Sequence, residues 1–357
     1  MRSLQTTAGA GRSVPAASSA SLPGATSPLA AAASSTAPEV AELSDLVDKY
    51  DAFLLDQFGV LHDGEEAYPG SADAVRALQR AGKRIVILSN SSKRRRDTVN
   101  RLQSLGMGMC TWLDSGCIGE GEDKVELITV QTSGDIAHQG LAAAVRGDVQ
   151  EDVFKGLAHK SKVFVFGNGD EDETYLESAG LIPSSMEEAD FILARGLFTA
   201  LDGSKEGGDT DVFNASMAAR INPPEGEGEE EEGGGSADAL LRVAADRGLP
   251  MIVSNPDLVR PDADSSPMPG VLGARYGSDV FGGDVRYIGK PHSLIYDSTL
   301  SALLNWLRES DPDGPFPDLN RVAAIGDSMH HDVLGARRAG IDAVFVAGGC
   351  SRLRAGG

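Results

Sequence analysis

The sequence predicts a globular α/β protein with parallel sheets. The alternation of its elements predicts the fold class, and its length and composition indicate the number of domains and a sizeable core. Short apolar runs alternate along the chain with stretches of helical periodicity, which is the pattern of parallel α/β layers. The length of 357 residues favours two domains, or one large domain with an insertion. A hydrophobic content of 41% is that of a globular protein that buries a sizeable core without disulfide bonds.

Each predicted element follows from its local pattern. Apolar runs predict strands at 53–55, 84–88, 163–166, 191–194, 251–253, 322–325 and 343–346. Amphipathic spacing predicts helices at 72–81, 95–105, 173–179, 237–247, 294–307 and 331–339. Val75 and Leu78 share one face of the first helix, and Gly106 ends the second. The segment from Thr132 to Asp135 has the composition of a helix cap.

Two segments differ from this pattern. Residues 1–38 are rich in Ala, Ser, Thr and Gly and contain no Asp or Glu, which predicts either a disordered tail or an organellar transit peptide. A cytoplasmic location is therefore expected, or a plastid or mitochondrial one if this segment is a transit peptide. Residues 222–236 combine a Glu run with a Gly run, which predicts a solvated loop because like charges repel each other.

Charge and composition exclude several classes of function. The net charge of −21 leaves no general basic footprint for nucleic acid. No apolar run approaches the length of a spanning helix, so no membrane insertion is predicted. The three cysteines, Cys110, Cys117 and Cys350, form no CxxC pair, which argues against a disulfide framework or a structural zinc site.

Polar residues follow the predicted strands at the end where parallel α/β sheets bind ligands. Asp56 follows the first strand and suits a nucleophile or a metal ligand, although Asp and Gly also commonly terminate strands. Ser89 and Asn90 follow the second strand, where they either bind an anion or cap the next helix.

Two later motifs also have chemical and structural interpretations. Lys290, between Gly289 and Pro291, either neutralises a phosphate or lies in a surface turn. Asp327 and Asp332, five residues apart across a strand-to-helix turn, suit Mg²⁺, which prefers one or two carboxylates with waters and phosphate. The two histidines between them carry little weight as a transition-metal site, because adjacent side chains on a helix point in different directions.

In this order the motifs resemble those of the haloacid dehalogenase-like hydrolase superfamily, and most closely its subclass IIA, which includes nitrophenyl phosphatase-like enzymes. The match runs from about residue 52 to 348 and consists of DQFGVLHDG, SNSS, SNPD, GKP and GDSMHHD. The resemblance implies a Rossmann-like, doubly wound parallel-sheet core with a large inserted α/β cap. Residues 39–105 and 256–357 would form the core, and residues 106–255 would form the cap.

The resemblance also implies a role for each matching residue in a Mg²⁺-dependent phosphatase. Asp56 would form an aspartyl-phosphate, and Lys290 would offset the charge beside it. The residues that would contact the phosphate are Ser89, Asn90 and Asn255. The groups that would hold Mg²⁺ are the carboxylates of Asp56, Asp327 and Asp332 and the backbone carbonyl of Phe58. An Asx turn before Pro256 is an equally simple role for Asn255.

Phe58 departs from the family pattern, in which a second Asp protonates the leaving oxygen and later activates water. Phenylalanine can do neither, and such proton transfer contributes ~10²–10⁴-fold to a rate. Either His62 or Asp63 replaces the missing group, or the enzyme requires good leaving groups such as aryl phosphates or anhydrides, or the chain binds a phosphorylated ligand without turnover.

The predicted function is therefore Mg²⁺-dependent hydrolysis of a small phosphorylated metabolite. The alternative is a pseudoenzyme that binds a phosphorylated ligand, and the carboxylate pair for Mg²⁺ disfavours a dehalogenase. A homodimer formed through the cap is compatible with the resemblance.

Overall fold

The computed structural model describes residues 42–107, 128–169, 171–201, 203, 237–260, 266–310 and 318–347. The predicted N-terminal tail, the acidic loop at 222–236 and the three cysteines lie outside the described residues.

The strands follow the predicted apolar runs closely. They are β1 Ala52–Leu55, β2 Arg84–Ser89, β3 Ile128–Thr132, β4 Lys162–Gly167, β5 Ile182–Pro183, β6 Phe191–Ala194, β7 Thr199–Leu201, β8 Met251–Val253, β9 Val285–Tyr287, β10 Val322–Gly326 and β11 Asp342–Phe345. Four of them, β3, β5, β7 and β9, have no counterpart among the predicted strands.

The helices also match the predicted segments, with three additions. They are α1 Leu43–Val47, α2 Ser71–Arg80, α3 Arg95–Ser104, α4 Ser133–Val145, α5 Asp172–Ala179, α6 Ala237–Asp246, α7 Pro269–Tyr276, α8 Ser293–Ser310 and α9 Leu334–Arg338. The additions are α1, α4 and α7. The predicted cap at Thr132 is confirmed, because its side chain accepts a hydrogen bond from the Asp135 N–H at the start of α4. The predicted helix at 331–339 begins earlier, as a π-type turn over Met329–Val333 that continues into α9.

The first sheet is parallel throughout and has the strand order β11-β10-β1-β2-β3. Its central strand, β1, is buried along its whole length. Leu55 lies opposite Ile87 on one side and Ile325 on the other, so β1, β2 and β10 end at the same edge. The chain reaches β2 and β10 on opposite sides of β1, which makes this edge a topological switch point where such folds bind ligands.

The second sheet has the order β5-β4-β6-β8-β9 with parallel pairing, and β7 pairs antiparallel with β4. Together the two sheets confirm the prediction of an α/β protein with a parallel, Rossmann-like core. Strand β3 belongs to the first sheet and β9 to the second. The domain boundaries at 106 and 255 stay a prediction.

The two sheets share a hydrophobic core. One cluster of buried residues contains Val86 of β2, Leu141 of α4, Val163 of β4 and Ile295 of α8. Separate clusters cover the other face of the first sheet and the other face of the second. Among the described helices, none is long and apolar enough to cross a membrane.

Candidate active site

A cavity of about 760 Å³ lies where β1, β2 and β10 end. It is lined by six of the seven predicted site residues that carry polar side chains and by the phenylalanine that departs from the family motif. These are Asp56, Ser89, Asn90, Asn255, Lys290 and Asp327, together with Phe58. Asp56, Ser89, Asn90 and Asp327 meet because β1, β2 and β10 end at one edge of the first sheet. Asn255 and Lys290 reach the same cavity from β8 and β9 of the second sheet.

Three carboxylates form the floor of this site. Oxygens of Asp56, Asp327 and Asp332 all lie within 4.8 Å of one another. Gly59, at φ +79°, makes this approach possible, since a Cβ there would lie 2.1 Å from Oδ2 of Asp327. Carboxylate oxygens are ligands that Mg²⁺ binds, so these residues fit the predicted ion.

Lys290 is buried between two of the carboxylates. Its Nζ lies 2.8 Å from Oδ1 of Asp56 and 2.8 Å from Oδ1 of Asp332. Burial acts to lower the pKa of Lys290, but Asp332 and Asp56 outweigh it and raise the pKa above its ordinary value. One ammonium cannot neutralise three carboxylates, so the cluster has room for a further positive charge.

The surroundings of Asp56 in the same cluster disfavour the ionised form of its carboxyl group. Burial raises the pKa of Asp56 to about 8; the nearby Asp332 and Asp327 add to this, and Lys290 opposes it. A divalent cation beside the carboxylate would favour its ionised, nucleophilic form.

The side-chain amide of Asn90 holds the lysine loop from both ends. Its Oδ1 accepts a hydrogen bond from the Lys290 N–H at 2.6 Å, and its Nδ2 donates to the Lys290 carbonyl at 3.1 Å. Nδ2 also donates to Oδ1 of Asp257 at 2.8 Å. Asn90 therefore positions Lys290 through two hydrogen bonds and is itself tied to Asp257 by a third, a use of its side chain that the sequence did not reveal.

Ser89 is buried and oriented by its neighbours. Its Oγ accepts hydrogen bonds from Nε2 of Gln57 at 2.5 Å and from the Ser91 N–H at 3.0 Å. Because both bonds are accepted, the hydroxyl hydrogen is available to donate to a ligand oxygen in the cavity. Sequence reasoning missed Gln57, and its only local signal is its position after Asp56.

Phe58 occupies the position of the missing Asp, and the two candidate replacements differ in their surroundings, since His62 lines the cavity and Asp63 does not. His62 stacks edge-on against the Phe58 ring, with centroids 5.1 Å apart. The Gly64 N–H donates to Nδ1 of His62, and Nε2 is buried without a partner among the described residues. Burial lowers the pKa of His62 to about 4, so the ring is neutral at pH 7. Asp63 is exposed, and its Oδ1 accepts the N–H groups of Glu65 and Glu66 in a surface turn.

Two predicted residues take positions that the motif alone did not specify. Oδ1 of Asn255 accepts the Asp257 N–H at 2.9 Å, which is the predicted Asx turn, while Asn255 still lines the cavity. Oδ1 of Asp332 accepts a hydrogen bond from Nζ of Lys290 at 2.8 Å, and Asp332 belongs to the carboxylate cluster without lining the cavity. The metal role predicted for the Phe58 carbonyl stays a prediction.

The second sheet contributes residues that sequence reasoning missed. Asn168 and Phe198 line the cavity, and Nδ2 of Asn168 donates to Oγ of Ser92 at 2.9 Å. Arg195 donates to the Ser92 carbonyl at 3.3 Å and forms a buried ion pair with Asp172. Asn168 directly follows the end of β4, so the strand-end rule that identified Asp56 could have identified it too.

Two family models match the chain. The model described as haloacid dehalogenase-like hydrolase matches residues 53–182, and the model described as HAD-hydrolase-like matches residues 287–355. Both matched regions contain parts of the cluster, Asp56 in the first and Lys290 with Asp327 and Asp332 in the second.

Curated relatives match a short region. The 4-nitrophenylphosphatase of Schizosaccharomyces pombe is 37% identical over 67 residues, which are 18% of this chain and 22% of the relative. The glycerol-3-phosphate phosphatase of Homo sapiens is 45% identical over 64 residues, 18% of this chain and 20% of the relative. The chain thus matches about a fifth of the length of these relatives.

Solved structures match most of the chain. A hydrolase of the haloacid dehalogenase-like family from Brucella suis 1330 aligns with a TM-score of 0.60 and 25% identity, over 87% of this chain and 93% of that one. A 4-nitrophenylphosphatase from Thermotoga maritima aligns with a TM-score of 0.52 and 21% identity, over 85% and 88%. The second of these likenesses shows the fold alone.

Proposed function

The chain belongs to the haloacid dehalogenase-like hydrolase superfamily, subclass IIA, and from this membership we propose that it is a Mg²⁺-dependent phosphatase acting on a small phosphorylated metabolite. One observation carries the proposal: a carboxylate at the end of the central strand lies 2.8 Å from a buried lysine and within 4.8 Å of two further carboxylates. A nucleophile, a fixed positive charge and a set of oxygen ligands thus occupy one cavity.

The proposed reaction has two steps. An oxygen of Asp56 attacks phosphorus, the bond from phosphorus to the ester oxygen breaks, and an aspartyl-phosphate remains. Water then attacks that phosphorus, the bond from phosphorus to the Asp56 oxygen breaks, and the proton of the water leaves with inorganic phosphate, which restores the Asp56 carboxylate. The Ser89 hydroxyl donates to a phosphate oxygen, and Lys290 stabilises the charge that develops between nucleophile and phosphate. Mg²⁺ held by Asp56, Asp327 and Asp332 would neutralise phosphate charge.

Phe58 limits which leaving groups the reaction can release, because phenylalanine cannot donate a proton to the ester oxygen. An ester oxygen that departs without a proton must be stable as an anion, as the oxygen of a phenol or an anhydride is. Because burial keeps His62 neutral and Asp63 lies outside the cavity, neither of these two residues supplies the proton of the missing acid. We therefore propose that turnover falls steeply as the leaving group becomes more basic.

The test is hydrolysis of a panel of aryl phosphates, anhydrides and alkyl phosphates by the full chain, with Mg²⁺ and with EDTA. We expect Mg²⁺-dependent release of phosphate from the good leaving groups, and loss of that release in Asp56→Asn. Turnover that survives in EDTA or in Asp56→Asn would contradict the proposed mechanism.

A second function is favoured by one observation, the phenylalanine at the acid position. The site would then bind a phosphorylated ligand without turning it over. Phe58→Asp separates the two functions, since it restores at position 58 the acid and base group that phenylalanine lacks. Turnover of aryl phosphates by the natural chain supports the phosphatase. Turnover that begins only in Phe58→Asp supports the binding protein.

A further inference from the structure

Large hydrophobic side chains that are exposed concentrate at the cavity. In the described part of the chain six such residues are at least 39% exposed, and three of them, Phe198, Met329 and Phe345, line the cavity. Their side chains are 53%, 62% and 39% exposed. Exposed apolar side chains that lie together lower the solubility of a protein. Such a cluster therefore marks a binding surface.

These side chains reach the cavity from different parts of the fold. Phe198 lies between β6 and β7 of the second sheet, Met329 follows the Asp327 loop, and Phe345 ends β11. Phe58, after β1, and Met268, before α7, line the same cavity and are partly buried. Phosphate-binding groups and apolar groups therefore share one cavity of about 760 Å³, large enough for a phosphate with an organic group attached.

We propose that this apolar lining selects the leaving group, and that the preferred substrates are aryl phosphates whose ring is apolar. This inference rests on the proposed function. The ring would occupy the apolar part of the cavity and exclude water from the ester bond, while the phosphate lies at Asp56, Ser89 and Lys290. When the bond to phosphorus breaks, the phenol oxygen departs as a phenolate and takes its proton from water after release, so the reaction needs no acid at position 58.

Two features thus point to one substrate class. An acid at position 58 would protonate the basic oxygen of an aliphatic leaving group, and such leaving groups are commonly polar. Phenylalanine removes that acid and adds apolar surface at the same place. The cavity is also lined by Lys93 and Arg101, which would favour an anionic substituent instead, and the experiment is chosen to separate these possibilities.

The test compares three phosphate esters whose leaving phenols have about the same acidity: 4-butylphenyl, phenyl and 4-(carboxymethyl)phenyl phosphate. Binding is measured by calorimetry on Asp56→Asn, which cannot form the phospho-intermediate, and turnover is measured on the natural chain. We expect the butyl ester to bind about tenfold more tightly than the phenyl ester, because burial of a butyl group removes several methylenes from water. The carboxymethyl ester is expected to bind most weakly.

Equal binding of the three esters, or tightest binding of the carboxymethyl ester, would overturn the apolar selection. Since binding is measured without turnover, that result is distinct from failure of the proposed function, in which the natural chain hydrolyses none of the esters. If the expected order of binding is found without hydrolysis, the apolar site stands and the phosphatase proposal fails.

Two double variants test which side chains cause the tighter binding of the butyl ester. Phe198→Ser with Met329→Ser should remove the advantage of the butyl ester and leave binding of the carboxymethyl ester within about twofold. The matched control, Ile182→Ser with Val280→Ser, changes two side chains that are 55% and 56% exposed but do not line the cavity. The control should keep the advantage, and equal loss in both double variants would contradict the inference.

Discussion

A single glycine sets the spacing of the carboxylates. Gly59 adopts φ +79°, and a Cβ there would overlap the carboxylate of Asp327 at 2.1 Å from Oδ2. We expect Gly59→Ala to displace Asp327 and to lower Mg²⁺-dependent turnover about 100-fold, because displacement of a catalytic group by about 1 Å has an effect of that size.

Gly82→Ala is the matched control for this prediction. Gly82 also has a positive φ, +72°, but no atom lies within 4 Å of the position of its Cβ. Both variants should lose about 1–2 kcal/mol of unfolding free energy from backbone strain, as measured by urea denaturation. Only Gly59→Ala should lose activity, and equal activity in the two variants would show that the contact with Asp327 is unimportant.

At the scale of single residues, a site residue can be predicted from the sequence where it follows a predicted strand. Asp56, Ser89, Asn90 and Asp327 were found in this way, and the structure brings them into one cavity. Arg195 was missed although it directly follows the predicted strand at 191–194, so the same rule could have identified it. Gln57 was missed because its role depends on a contact with Ser89, which lies far away in the sequence.

At the scale of elements, a buried ion pair joins β6 to α5 and supports the loop after Ser89. Arg195 and Asp172 are only 3% and 1% exposed, and the guanidinium also lies 3.9 Å from the ring centroid of Tyr175. Loss of one partner leaves a buried charge unpaired, which costs about 3–5 kcal/mol. We expect that loss of unfolding free energy in Arg195→Met, measured by urea denaturation.

The exposed pair of Arg275 with Asp238 provides the control. Its side chains are 37% and 42% exposed, and water already solvates both charges. Arg275→Met should therefore cost less than about 1 kcal/mol. If the two variants lose the same stability, burial does not govern the strength of these pairs.

Helix α4 contains a histidine that makes stability depend on pH. Burial lowers the pKa of His138 to about 4, with a further contribution from Arg94, and its Nε2 lies 2.8 Å from Oγ of Ser178. The unfolded chain binds a proton near pH 6.5, so the folded state loses stability as the pH falls from about 6.5 towards 4.

The variant His138→Gln tests whether His138 causes this pH dependence of stability, since glutamine can hydrogen-bond but does not titrate. The unfolding free energy of the natural chain should fall between pH 7 and pH 5 by about 1–2 kcal/mol more than that of the variant. Parallel pH dependences for the two chains would assign the effect to other groups.

The elements that sequence patterns predicted are those whose residues are continuously apolar or amphipathic. The missed strands β5, β7 and β9 have two or three residues each, too few to show a period. They form because a neighbouring strand offers unpaired backbone groups, as β4 does for both β5 and β7. Strand β3, ITVQT, contains polar residues among its apolar ones and pairs in register with the apolar β2.

At the scale of the whole molecule, hydrogen bonds and a shared core join the two sheets, unlike a core and a cap that fold independently of each other. Oγ of Ser133 donates to the Ser254 carbonyl at 2.7 Å, and the hydroxyl of Tyr175 donates to the Gly134 carbonyl at 2.8 Å. The shared cluster of buried side chains has members on β1 and β2 and on β4 and β6. Such continuity of contacts favours unfolding as one cooperative unit.

Leu241→Ala tests this cooperativity from a site far from the shared cluster. Leu241 of α6 is fully buried against the other face of the second sheet, where truncation costs about 2–5 kcal/mol. In one cooperative unit, hydrogen exchange of the β2 amides in the first sheet should accelerate as much as exchange of the β4 amides. If only the β4 amides respond, the second sheet opens by itself. The cavity that Asn168 and Phe198 complete would then be lost before the carboxylate cluster is, because those two residues belong to the segment that opens.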